Sequence, residues 1–334
     1  MGRHPVSQLI FSLAALALVA ESSSPFNITL GSSISTEPNQ TSYWLSPSTN
    51  FAFGFFPMSS EYIIGIWLAR TKTRTLVWAA NHDHSLFSDS YSSVVFNHDG
   101  FFMVHSVQGK KAKPLFNVNV SASYAMLHDN GNFVMYGLDS NVIWQSFDYP
   151  TDTILVGQAL RPGHSLMSKC LKNSSNGYKL SMQQDGNAVI YDVNKGDQVW
   201  NSATSGRGSN ISLNLDSNGH LNLRYSVIIK NFTNGEERFK STNGSIMYRS
   251  TLESDGIFRL YKERIGNESE SSLVIWNSST NGVKSSEHLS DVKLVETGCF
   301  GGAIAAVAVF LYWIRRCCNA KSQEDNTECP IQEV

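Results

Sequence analysis

Between residues 26 and 280 the hydrophobic positions come in short runs, many of them alternating with polar positions. The runs are punctuated by Asp or Asn beside Gly at Asp99-Gly100, Asn130-Gly131, Asp185-Gly186, Asn218-Gly219 and Asp255-Gly256. Such dipeptides take the positive φ angles of tight hairpin turns. A period of two marks a strand with two unlike faces, and no dozen-residue stretch here repeats at the helical period. The pattern predicts an all-β region made of hairpins. Ile143-Trp144-Gln145-Ser146, Val199-Trp200-Asn201-Ser202 and Ile275-Trp276-Asn277-Ser278 are copies of one strand element, and Leu76-Val77-Trp78-Ala79 is a looser one. One hairpin buries too little surface to be stable alone, so the tryptophans are expected to meet in a shared core.

Two longer apolar runs lie outside this region. Leu9 to Ala20 follows Arg3 and His4 and precedes Glu21 and three serines, the layout of a signal peptide ending near residue 24. Gly298 to Ile314 is uncharged and is followed by Arg315 and Arg316. Seventeen residues make a helix of about 25 Å, a short but workable membrane span with its positive flank on the cytoplasmic side. The expected order is a signal peptide (1–24), two extracellular units (26–149 and 150–280), a stalk (281–297), a transmembrane helix (298–314) and a cytoplasmic tail (315–334). This is the layout of a single-pass type I protein of the plasma membrane.

Composition narrows the chemistry. Of 334 residues 16% are charged and the net charge is −2, so no basic field invites nucleic acid. Acceptor sequons begin at Asn27, Asn39, Asn119, Asn173, Asn210, Asn231, Asn243, Asn267 and Asn277, all before the expected span. Cys170 is the single cysteine of the expected ectodomain, which rules out an internal disulfide framework there; Cys299 opens the span, and Cys317, Cys318 and Cys329 follow it. Cys317 and Cys318 are placed for S-acylation. The nine histidines are scattered, His82-Asp83-His84 reads as a solvated turn, and Asp148 and Asp152 around Pro150 read as turn formers. With no nucleophile elbow, zinc motif or kinase motif, neither an enzyme nor a cofactor or metal is expected.

The candidate site is Gln183-Gln184-Asp185-Gly186-Asn187-Ala188-Val189-Ile190-Tyr191. Gln183, Asp185, Asn187, Val189 and Tyr191 occupy alternate positions, so on an extended strand they leave one face. Amides donate and accept, a carboxylate accepts, and a phenol does either, a row suited to a polyol.

The same row resembles the Gln-x-Asp-x-Asn-x-Val-x-Tyr mannose signature of the bulb-type lectins. Trp44-Leu45-Ser46-Pro47, Phe51-Ala52-Phe53-Gly54-Phe55, Leu76 to Asn81 and the junction Trp144 to Leu155 (WQSFDYPTDTIL) are similar to plant G-type, S-locus-like lectin receptor kinases, and Asn27 to Ser32 and Tyr248 to Leu252 to their LecRK-type subgroup. The resemblance, over residues 26 to 265, implies two tandem β-prism II domains, each of three four-stranded sheets. It also implies that Asp185 and Asn187 bind the 2-hydroxyl of mannose, Gln183 the 3-hydroxyl and Tyr191 the 4-hydroxyl, with Val189 against the ring carbons. The other turns depart from the signature. Asn97, Phe101, Met103 and His105 replace four of its residues; His128 and Asn130 replace two; Ile257 and Arg259 break the row around Asp255.

Relative to those kinases the EGF-like, PAN and kinase regions are missing, so a kinase-less receptor-like protein is expected. Its partners would be mannose-containing glycans or, as the rival reading, full-length receptor kinases in the same membrane; an inactive truncated product is the third reading.

Overall fold

The computed structural model describes residues 26–58, 61–80, 91–106, 111–169, 177–234, 245–266 and 271–279. They form strands and one turn of 3-10 helix, Ser146–Asp148, with no α-helix among the described residues, in keeping with the alternating pattern. The expected signal peptide, stalk, span and tail lie outside them, as do all five cysteines, His82-Asp83-His84 and the sequons at Asn173, Asn243 and Asn267. No helix of the described residues is long and apolar enough to cross a membrane.

The strands assemble into six four-stranded antiparallel sheets. Sheet I holds Ile28–Thr29, Tyr124–Leu127, Phe133–Tyr136 and Val142–Gln145; sheet II holds Ser33–Ser35, Ser93–Phe96, Phe102–His105 and Lys113–Pro114; sheet III holds Tyr43–Leu45, Phe51–Met58, Glu61–Leu68 and Thr75–Ala79. The chain thus lays down three short strands and then three meanders, which take up the short strands in reverse order. The plan recurs. Sheet IV holds Ser165–Met167, Tyr178–Met182, Ala188–Asp192 and Gln198–Asn201; sheet V holds Ala159–Leu160, Ser212–Leu215, Leu221–Arg224 and Ile228–Asn231; sheet VI holds Thr153–Leu155, Ser245–Leu252, Phe258–Ile265 and Leu273–Asn277.

Each set of three sheets turns one face inward. Phe53, Phe55, Ile64, Phe96, Phe102, Leu127 and Phe133 fill the first core, and Leu166, Leu180, Ile190, Leu213, Leu221, Leu252 and Phe258 the second. The tryptophans meet in two cores rather than one. Trp78 and Trp144 lie edge to face at 5.9 Å in the first, and Trp200 and Trp276 at 6.5 Å around Phe232 in the second. The serine of the repeated element has a backbone role. Ser146, Ser202 and Ser278 each accept the first strand N–H after a turn, from Phe133, Ala188 and Phe258, at 2.9, 2.9 and 3.0 Å.

Residues Trp144 to Leu155 join the two sets. Tyr149 stacks on Trp144 at 5.4 Å, and its carbonyl accepts the Trp78 indole N–H at 2.7 Å. Ile154 enters the second core and Leu155 the first. Asp152 is more than a turn former: it is buried, and Lys169 reaches from its carboxylate (3.0 Å) to the Leu76 carbonyl (3.0 Å).

Candidate functional site

The row Gln183 to Tyr191 does not lie on one strand, as its spacing suggests. Only Ala188–Asp192 is extended. Residues 183 to 187 fold as a turn, in which the Gln183 N–H donates to the Asn187 carbonyl at 2.8 Å and the Gly186 N–H to the Gln183 carbonyl at 3.2 Å. Gly186 has φ +88°, and a Cβ there would lie 2.7 Å from the Gly208 carbonyl oxygen, so glycine is required.

The turn sorts the five side chains into two pairs above a small apolar floor. Gln183 and Tyr191 form one pair, Nε2 donating to the phenol oxygen at 2.8 Å. Having accepted that bond, the Tyr191 hydroxyl keeps its own proton to donate elsewhere. Asp185 and Asn187 form the other, against the loop after Trp200. Asp185 Oδ1 accepts the Asn187 N–H at 3.0 Å and Oδ2 the Ser205 hydroxyl at 2.6 Å. The Ser205 bond and the backbone N–H of Asn187 hold its carboxyl below the ordinary aspartate value. Asn187, 8% exposed, turns its Oδ1 inward to the Ser202 hydroxyl (2.9 Å) and the Thr204 N–H (3.2 Å). Its Nδ2 makes no hydrogen bond among the described residues. Val189, 1% exposed, is the floor between Ser181 and Asn201.

Sequence reasoning missed Thr204 and Ser205, which carry no repeat signal. Ser202 was visible only as part of the Trp element. Asp185 and Asn187 are therefore oriented before any ligand arrives, the carboxylate as acceptor and the amide nitrogen as donor.

The corresponding turns of other sheets close on themselves. In sheet I, His128 Nε2 and the Tyr136 hydroxyl lie 2.7 Å apart, burial keeping the imidazole below its ordinary pKa, and Asn132 Nδ2 donates to Gln145 Oε1 at 2.8 Å. In sheet VI the Tyr261 hydroxyl donates to Glu253 (2.7 Å), and Arg259 lies in a fork on Asp255 (2.9 and 2.7 Å). Arg249 covers the Tyr261 ring at 3.8 Å while its Nε donates to Glu263 at 2.8 Å. Among the described residues no group of His, Cys, Asp and Glu could hold a metal ion.

The family model described as D-mannose binding lectin matches residues 75–169, which bridge the two sets of sheets. A G-type lectin S-receptor-like serine/threonine-protein kinase of Oryza sativa subsp. japonica is 34% identical over 257 residues, covering 70% of this chain and 30% of the kinase. An S-locus-specific glycoprotein of Brassica oleracea is 29% identical over 257 residues, 69% of this chain and 56% of the glycoprotein. The chain thus spans under a third of the length of the kinase and little over half that of the glycoprotein. Among solved structures, a monomeric monocot mannose-binding lectin from Gastrodia elata is 27% identical, with a TM-score of 0.29, covering 39% of this chain and 98% of that one.

Proposed function

The chain belongs to the G-type lectin family, with its bulb-type domain and S-locus-like relatives, and on that premise we propose that it is a carbohydrate-binding protein of the cell surface, specific for mannose-type glycans. The site is Gln183, Asp185, Asn187, Val189 and Tyr191. The observation that carries the reading is the amide of Asn187: its oxygen is committed inward and its nitrogen is left open beside an ionised Asp185. A hydroxyl placed between them accepts from one and donates to the other, and the Tyr191 hydroxyl meets a second. The role is binding, not catalysis.

In this reading the two sets of sheets are β-prism II domains, residues 26–149 and 150–280, displayed outside the plasma membrane by a helix at 298–314. A shallow site on a sheet buries little ligand, so single-site affinity is weak and useful retention comes from clustered sites on a glycan-dense surface. The test is a glycan array with the chain and its Asp185→Ala/Asn187→Ala variant. Mannose-terminated glycans should retain the first and not the second; equal retention of both, or none of either, sinks the assignment.

A further inference from the structure

Sheet V presents three asparagines across its outer face. Asn214 is the register partner of Asn222, and Asn222 of Asn231, while Leu213, Leu215, Leu221 and Leu223 point into the second core. Asn222 is 5% exposed, and its Oδ1 is buried with no hydrogen-bond partner. Buried amides are nearly always matched, because an unmatched one has given up water for nothing. Asn214 does not supply the match, since its Nδ2 donates to the Ser212 carbonyl (2.8 Å) and hydroxyl (3.0 Å). Asn231 is exposed and makes no hydrogen bond among the described residues.

Asn231-Phe232-Thr233 is an acceptor sequon. We propose that Asn231 is a structural N-glycosylation site, whose first sugar lies on the outer face of sheet V and hydrogen-bonds the amide of Asn222. Directly opposed residues in an antiparallel pair hold their Cβ atoms about 4.5–5.5 Å apart, so a sugar on the Asn231 nitrogen starts within reach of Asn222. The root of the glycan is fixed. Phe232 packs against the second core, and the Thr233 hydroxyl accepts the Leu221 N–H (2.9 Å) and donates to the Gly219 carbonyl (2.7 Å). A first sugar on Asn231 therefore has little freedom to swing away from the sheet. It supplies both the hydroxyls and the N–H that the orphaned amide oxygen needs once the Asn222 side chain turns outward to meet them. The inference rests on the secretory route proposed above.

The experiment is glycopeptide mapping and thermal unfolding of the full chain made in plant cells, in mild detergent. Asn231 should be occupied; trimming every glycan to its first sugar should leave Tm unchanged, and Asn231→Gln should lower it by about 2–4 °C. In an Asn222→Leu background, which removes the orphaned oxygen, the same Asn231→Gln change should have no further effect. An unoccupied Asn231 beside occupied sequons elsewhere, or an equal fall of Tm in both backgrounds, overturns the proposal. A chain bare at every sequon overturns the secretory reading with it.

Discussion

The turns at Gln183 and at Glu253 start from the same backbone and end with opposite surfaces. Each closes through an N–H to carbonyl bond four residues on (2.8 and 3.0 Å), each places a glycine at φ +88° or +80°, and each sets a tyrosine eight residues after its first residue. In sheet IV the polar groups bond to one another and to Ser202, Thr204 and Ser205, leaving an amide nitrogen and a phenol proton outward. In sheet VI two arginines fill the same places from within the chain, Arg259 on Asp255 and Arg249 on Tyr261. The scaffold is therefore indifferent to binding, and a few side chains decide whether its surface is open or already satisfied.

The largest effect should come from breaking the closed surface. Arg249 and Glu263 are 7% and 2% exposed at the side chain, and Glu263 also accepts the Ser272 hydroxyl at 2.6 Å. Burial works against the Arg249 charge, but Glu263, with help from Tyr261 and Glu253, outweighs it and holds the guanidinium above its ordinary value. Glu263→Gln leaves that charge buried without its counter-charge, at a cost of about 3–5 kcal/mol. Thermal unfolding should show Tm falling by on the order of 10 °C. The joint change Arg249→Met/Glu263→Leu removes both charges and should recover most of the loss; if it does not, the pair is not what closes this face.

A smaller effect comes from carrying a sheet VI residue into sheet IV. Gln183→Glu copies Glu253, and a carboxylate at that position accepts the tyrosine proton as it does at Tyr261. The Tyr191 hydroxyl then has no proton left for a ligand. One hydrogen bond is lost, worth about 0.5–1.5 kcal/mol, so mannan affinity should fall by roughly three- to tenfold in titration, with Tm nearly unchanged. Unchanged affinity would mean that the phenol proton does not face the sugar.

The two turns also show what was legible in the chain. The hairpins could be read because Asp-Gly and Asn-Gly encode a backbone conformation locally, and the loss of the row at Ile257 and Arg259 was visible as foreign residue types. That Arg249 seals sheet VI was not visible, because it reaches Tyr261 through strand register (Arg249 opposite Tyr261), which no local pattern specifies. The edge strands Ile28–Thr29 and Ala159–Leu160 are too short to show a period, and they exist only through pairing with residues far along the chain. The row at Gln183 was legible as a set of residue types but misread as a straight strand, since spacing of two does not reveal that Gly186 folds its first half into a turn.

The smallest effect separates the surfaces by pH. Asp185 is solvent-accessible and held low by neutral donors, Ser205 and the Asn187 N–H, whereas Asp255 is held low against burial by a permanent charge, Arg259. Both carboxyls have depressed folded-state values, so what each contributes is present above the ordinary aspartate pKa and is lost as pH falls through the lowered one. Mannan binding should thus be flat from neutral pH to about 4, where an ordinary aspartate would already be half protonated. It should decline only below that, when protonated Asp185 no longer accepts from both Ser205 and Asn187 and the loop holding Asn187 loosens. A midpoint near pH 6 in a titration of binding against pH would move the response to a histidine and remove Asp185 from the site. The Asp255–Arg259 pair should leave no trace in that binding curve, because it lies on the surface that its own arginines already occupy.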